Sequence, residues 1–97
     1  MNENELAALV AEVRDVLRRQ LGDEVGRIGQ DELLVDVLGG RYDSLAALES
    51  VSVVESHFEI DVDFVNHDVR HTFSTIERIA IFIRGELEDR EKLRSPR

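Results

Sequence analysis

The sequence contains no cysteine and a single proline. Without cysteine the chain has no disulfide, no thiolate metal site and no thiol nucleophile. None of its apolar runs approaches the roughly 20 residues that a transmembrane helix needs. The first residues, MNENELAALVAE, are acidic and lack the basic-then-apolar layout of a secretory signal peptide. These absences predict a cytoplasmic protein.

Basic residues are scarce relative to acidic ones. Lys and Arg number 12 against 21 Asp and Glu, which gives a formal net charge of −9. Nucleic-acid binding needs a basic face that releases phosphate counterions, and anionic membranes attract polybasic segments. We therefore expect neither nucleic acid nor a membrane among the partners. The 97 residues predict one small domain, a monomer, whose modest core favours a binding surface over a deep catalytic cleft.

Three segments have the apolar spacing of amphipathic helices. The first runs from Asn4 to Leu21, the second from Ser44 to about Phe58, and the third follows a capping box at Ser74–Glu77. Residues 60–65 alternate like a strand but have no partner segment, so we expect an extended loop, with a short helix around residues 65–69. The predicted fold is all-α: a small bundle of three main helices plus one short helix, with a long structured first loop.

The long first loop, residues 22–43, is punctuated by glycines but is not polar. An apolar cluster lies within it, at Leu33, Leu34, Val35, Val37 and Leu38. A loop of about 20 residues is unusual in a small domain unless it is functional or packed down by its own side chains. We expect these apolar residues to lie under the helices. Residues 1–87 then form the folded domain, and residues 88–97 a charged, flexible tail.

Ser44 stands where the glycine-rich loop meets the second helix, directly after Asp43. The free backbone N–H groups and the positive dipole end of a helix favour an anion at this point, such as a phosphate ester on the serine. Asp and Ser are also preferred N-cap residues. Taken alone, the pair favours a simple cap.

The wider segment of residues 36–49, DVLGGRYDSLAALE, resembles the phosphopantetheine attachment region of acyl carrier proteins. In that family an apolar-Gly-x-Asp-Ser-Leu run opens the second helix. The resemblance continues at Leu33–Leu34 in the first loop, at Phe58 and at residues 73–83. It implies that Ser44 carries 4′-phosphopantetheine, derived from coenzyme A, and that Asp43 beside it helps to position the transferase or its metal during attachment. The chain would then be no enzyme, but a carrier of acyl thioesters on a thiol that its own residues lack.

The resemblance also implies partners. These are a phosphopantetheinyl transferase and the acyl-loading and acyl-processing enzymes, which would present basic docking patches. Leu45, Glu49 and Glu55 are the expected contacts on the second helix. Arg41 stands where the family has glycine and is expected to select among partners. Complementary charge of this kind raises the encounter rate more than the affinity, which suits a shuttle.

Several alternatives stay open at this stage. At Ala46 and Leu48 the sequence resembles polyketide or peptidyl carriers more than fatty-acid carriers, so we expect a specialised pathway. The expected cargo is an acyl group or, alternatively, a peptidyl or aminoacyl group. A different class of function is a helical interaction module without a prosthetic group. A metal site at His67 and His71, or a Ser–His–Asp triad using Ser44, lacks a supporting motif. We expect no metal and no catalytic residue.

Overall fold

The computed structural model describes residues 3–63 and 68–94, and all regular structure within them is helical. Its long helices are α1 (Glu3–Leu21), α3 (Ser44–Phe58) and α5 (Ile76–Arg94). Two short α-helices, α2 (Leu34–Leu38) and α4 (Val69–Thr72), and two 3₁₀ turns, Asp23–Arg27 and Gly39–Arg41, lie between them. The prediction of a small all-α bundle is confirmed. None of the described helices has the length and apolar character to cross a membrane.

The core forms where α1 packs against both α3 and α5. Apolar residues three or four positions apart lie on one side of a helix, so each long helix presents a continuous apolar face. The buried apolar residues of these helices are Val10, Val13, Val16 and Leu17 from α1, Ala46, Val51, Val54 and Phe58 from α3, and Ile76, Ile79, Ala80 and Ile83 from α5. The spacing of apolar residues in the sequence therefore identified the buried faces of α1 and α5. In α3 it was right for Val51, Val54 and Phe58 but wrong for Leu45 and Leu48, which share the spacing but are exposed.

The first loop is packed down, as predicted, but not by all of its apolar residues. Leu34 and Leu38 lie one turn apart on the inner face of α2 and are buried, whereas Leu33, Val35 and Val37 are each more than 40% exposed. Placing all five under the helices was wrong, because α2 brings only residues about one turn apart, Leu34 and Leu38, to the same inner face. The loop is fixed to the start of α5 by a hydrogen bond from the Leu34 N–H to the Ser74 carbonyl at 2.9 Å.

The start of α5 differs from the predicted capping box by one residue. The Thr75 hydroxyl, not that of Ser74, accepts a hydrogen bond from the Arg78 N–H, at 3.0 Å. Ser74 instead donates its hydroxyl proton to the His71 carbonyl at 2.7 Å. Its own carbonyl accepts from Leu34, so Ser74 belongs to the loop contact rather than to the helix.

The segment after α3 has no regular secondary structure through Asp63 and forms no strand within the described residues. Its apolar residues Ile60 and Val62 are buried. Residues 64–67 lie outside the described part of the chain, and the short helix occupies Val69–Thr72 rather than the predicted residues 65–69. At the other end α5 continues to Arg94, past the predicted domain boundary at residue 87. The guanidinium of Arg90 donates to the Phe58 carbonyl at 3.3 Å, which ties this part of α5 to the bundle.

Candidate functional site

Asp43 and Ser44 occupy different positions at the start of α3. Asp43 is the N-cap: its backbone is extended, and its Oδ1 accepts a hydrogen bond from the Ala46 N–H at 2.9 Å. Ser44 is the first helical residue and is exposed. Within residues 3–63 and 68–94, no hydrogen bond involves the Ser44 hydroxyl. Because Asp43 meets the capping requirement, the Ser44 hydroxyl is available for chemistry.

Tyr42 fixes the backbone that leads into this pair. Its ring is buried, and its hydroxyl donates to the Phe73 carbonyl at 2.6 Å, joining the residue before the cap to the segment before α5. Its N–H donates to the carbonyl of Gly39 at 3.0 Å, and Gly39 has a positive φ of 59° that favours glycine at this turn. Burial raises the pKa of Tyr42 to about 12, so the phenol remains a donor at physiological pH.

A second set of polar contacts connects the first turn of α3 to α1. Ser50 is fully buried, and its hydroxyl lies 2.9 Å from Gln20 Oε1 and 3.0 Å from the Ala46 carbonyl. The Gln20 amide also donates to the Ala46 carbonyl, at 3.3 Å. These bonds connect α1 to the helix end that carries Ser44. They hold that end in a fixed orientation relative to the core.

A partly open cleft of about 400 Å³ adjoins Ser44. This volume lies within the range of about 300–1,000 Å³ that is usual for small-molecule sites. Residues from α2, the start of α3, α4 and the segment before α5 line it, namely Val35, Tyr42, Asp43, Ser44, Ala47, Val69, Arg70, Phe73 and Ser74. Sequence reasoning identified Asp43 and Ser44 but missed Arg70, Val69 and Phe73 as part of a site. No local signal marks those three residues, because only the fold brings them to the serine.

The outer face of α3 next to Ser44 carries exposed apolar side chains. Leu45 is 64% exposed and Leu48 is 48% exposed, and Glu49 beside them is also exposed. Large apolar side chains at this level of exposure, three residues apart, form a small patch that is open to a partner. Leu45 and Glu49 are thus accessible, as the predicted partner contacts require.

The other two predicted partner contacts are already engaged within the protein. Glu55 is only half-buried, but its Oε2 accepts a hydrogen bond from the Val62 N–H at 2.8 Å and so holds the segment after α3. The guanidinium of Arg41 pairs with the carboxylate of Glu24 in the first 3₁₀ turn. Both side chains therefore have a structural contact that a partner would have to share or replace.

The two described histidines contact other side chains of the protein. His71 contacts the guanidinium of Arg78, and His57 pairs with Glu12 Oε2 at 2.8 Å between α3 and α1. His67 lies outside the described residues. In the described part of the chain, no group of three His, Cys, Asp or Glu is placed to hold a metal ion, and no histidine lines the cleft. The described histidines therefore supply no general base for Ser44 within the cleft.

No protein-family model, curated protein or solved structure matches the chain. The resemblance to acyl carrier proteins that residues 36–49 suggest therefore stays a prediction.

Proposed function

We propose that this protein is an acyl carrier whose Ser44 is the attachment site of 4′-phosphopantetheine. One observation carries the proposal: Asp43 caps α3, so the exposed Ser44 hydroxyl has no structural task in the described fold and opens beside an apolar cleft. A serine that only capped the helix would direct its oxygen at the backbone N–H groups of the first turn.

The residues around Ser44 suit the group that it would carry. An exposed hydroxyl on the first turn of a helix is accessible to a transferase, and the helix end favours the negative charge of a phosphodiester. During attachment the Ser44 oxygen would form a bond to the phosphorus of coenzyme A next to the pantetheine arm, losing its proton as the adenosine bisphosphate leaves. When bound, the arm supplies the thiol on which acyl groups travel as thioesters. The chain itself cannot supply this thiol, because it contains no cysteine.

The surface next to Ser44 supports a role as a partner rather than as an enzyme. Leu45 and Leu48 offer apolar contacts, and Glu49 adds negative charge on the same face. The net charge of −9 would steer the protein toward basic patches on a transferase and on acyl-loading and acyl-processing enzymes. The proposal includes a monomeric, cytoplasmic protein of a specialised biosynthetic pathway, with an acyl cargo or, alternatively, a peptidyl or aminoacyl one.

A mass measurement tests the proposal. The apo protein is incubated with coenzyme A and a transferase of broad specificity, and the intact mass is recorded. We expect one added phosphopantetheine on the wild type and on Ser52→Ala, an exposed serine of the same helix, but none on Ser44→Ala. Circular dichroism would check that both variants keep their helices.

Two results would overturn the assignment. One is the absence of any mass gain with several different transferases. The other is a gain that persists in Ser44→Ala, which would move the modification to another residue. The first result would instead favour a helical interaction module without a prosthetic group, for which the patch at Leu45 and Leu48 would be the contact surface.

A further inference from the structure

Two arginines flank the Ser44 region, and they differ in their surroundings. Arg41 is occupied, because its guanidinium pairs with Glu24. Arg70, on α4, is exposed and lines the same cleft as Ser44. Among the described residues no carboxylate forms an ion pair with Arg70. In a protein of net charge −9, an arginine without such a pair beside the exposed serine is available for an anion.

The cleft combines this cation with apolar walls. Val35, Val69 and Phe73 contribute side chains from three different parts of the fold. Asp43 also lines the cleft, but its Oδ1 already accepts a hydrogen bond from the Ala46 N–H. The lining therefore suits a ligand with an anionic group near Ser44 and a branched apolar group next to it.

The arm of 4′-phosphopantetheine has these two groups in this order. A phosphodiester would adjoin the Ser44 oxygen, and the next quaternary carbon of the arm carries two methyl groups. Arginine is well suited to a phosphodiester, because its planar guanidinium can donate two parallel hydrogen bonds to phosphate oxygens. The walls of the cleft would remove the methyl groups from water.

We propose that Arg70 is a positioning residue for the arm: it pairs with the phosphodiester on Ser44, while Val35, Val69 and Phe73 receive the adjoining dimethyl carbon. The arm then leaves the serine along the cleft instead of extending freely into solvent. This inference rests on the proposed modification of Ser44. The pair is solvent-exposed, so salt weakens it and a partner enzyme can withdraw the arm.

Nuclear magnetic resonance of the modified protein tests this contact. The wild type, Arg70→Gln and Arg27→Gln are each converted with coenzyme A and the transferase. Arg27 is a matched control, because it is exposed in the first 3₁₀ turn and does not line the cleft. At low salt, we expect conversion to shift the amide signals of residues 69–73 in the wild type and in Arg27→Gln. In Arg70→Gln these shifts should fall to less than about half, and the ³¹P signal should lose its dependence on salt.

Thermal unfolding gives a second readout. An exposed charge pair of ordinary strength should raise the melting temperature of the modified wild type by about 2–4 °C over the apo protein at low salt. Arg70→Gln should lose this increment and Arg27→Gln should keep it. Arg70→Lys should retain part of it, because charge is preserved but the paired donor geometry is not.

The outcomes separate this inference from the proposed function. If the wild type gains no phosphopantetheine, both are overturned. If it gains the group but the signals of residues 69–73 do not move, only the role of Arg70 is overturned. The same holds if Arg70→Gln and Arg27→Gln behave alike. Matching apo spectra of the wild type and the two variants would show that any difference arises from the arm and not from the fold.

Discussion

Replacing Tyr42 with phenylalanine would test the contact that holds the Ser44 region against the start of α5. The Tyr42 ring is 9% exposed, and its hydroxyl donates to the Phe73 carbonyl at 2.6 Å. The net contribution of such a hydrogen bond is about 0.5–1.5 kcal/mol, and a buried acceptor left without a donor costs about 1–3 kcal/mol. We expect the variant to lose about 1–2 kcal/mol of unfolding free energy at neutral pH. In a domain of this size each kcal/mol lowers the melting temperature by about 4–8 °C.

The same substitution changes the dependence of stability on pH. Burial raises the pKa of Tyr42 from 10.0 to about 12 in the folded protein. Below pH 10 both the folded and the unfolded states are protonated, so the full stabilisation is present. Between pH 10 and pH 12 the unfolded state loses its proton first, and stability falls as pH rises. Two pKa units correspond to at most about 2.7 kcal/mol, so the advantage of the wild type over Tyr42→Phe should shrink toward pH 12.

The assay is direct because Tyr42 is the only tyrosine and the chain has no tryptophan. The ultraviolet absorbance of phenolate therefore reports the titration of this single group. We expect a midpoint near pH 12 in the folded protein and near pH 10 in denaturant. Urea unfolding of the wild type and Tyr42→Phe below and above pH 10 gives the free energies. A folded-state midpoint near pH 10, or a stability difference that is constant across this range, would refute the reasoning.

Three further predictions concern the fold around the site. Leu34→Ala should lower the unfolding free energy in a urea titration by about 2–5 kcal/mol, because Leu34 is fully buried. Leu33→Ala, at a side chain that is 43% exposed, should change it by about 0.5 kcal/mol or less. Equal losses in the two variants would contradict the packing of α2. Asp43→Ala should lower the unfolding free energy measured by calorimetry by about 1 kcal/mol, because the helix loses its N-cap. Asp43→Asn should keep the wild-type value, since asparagine caps equally well. A comparable loss in both variants would argue against the cap. Arg41→Gln should cost about 0.2–1 kcal/mol at low salt through its pair with Glu24, and a loss that persists in concentrated salt would speak against an ionic origin.

The long helices were predictable because their signals are local. Apolar residues at three- and four-residue steps define a buried face without knowledge of what covers it. The predicted first helix ends at Leu21, as α1 does, and Asp43 at the N-cap agrees with the predicted start of the second helix at Ser44. Where two adjacent residues could both cap, as at Ser74 and Thr75, the local pattern selected the wrong one. The bond from Leu34 to the Ser74 carbonyl, a contact between distant segments, ties Ser74 to the loop and leaves Thr75 to cap α5.

For the candidate site, too, the sequence predicted what depends on local pattern but not what depends on packing. The sequence pattern identified Asp43 and Ser44, because a helix start requires a cap and two residues of suitable chemistry stand there. It did not distinguish their roles, since the choice of cap depends on backbone geometry that only the structure shows. It also did not reveal that Glu55 and Arg41 have internal partners, Val62 and Glu24. Exposure and pairing are properties of the packed chain.

By itself the sequence determined the all-helical class, the bounds of the first two long helices within a residue and the position of the candidate serine. Those features depend on residue spacing and on interactions within one helical turn. Only the tertiary structure decided that a cleft lies beside Ser44 and that Arg70 belongs to it. The contact of Tyr42 with Phe73 spans 31 positions and is made possible by the packing of α1 against α3 and α5. Local periodicity states which face of a helix is buried, but the partner of that face is chosen by the packing of the whole core.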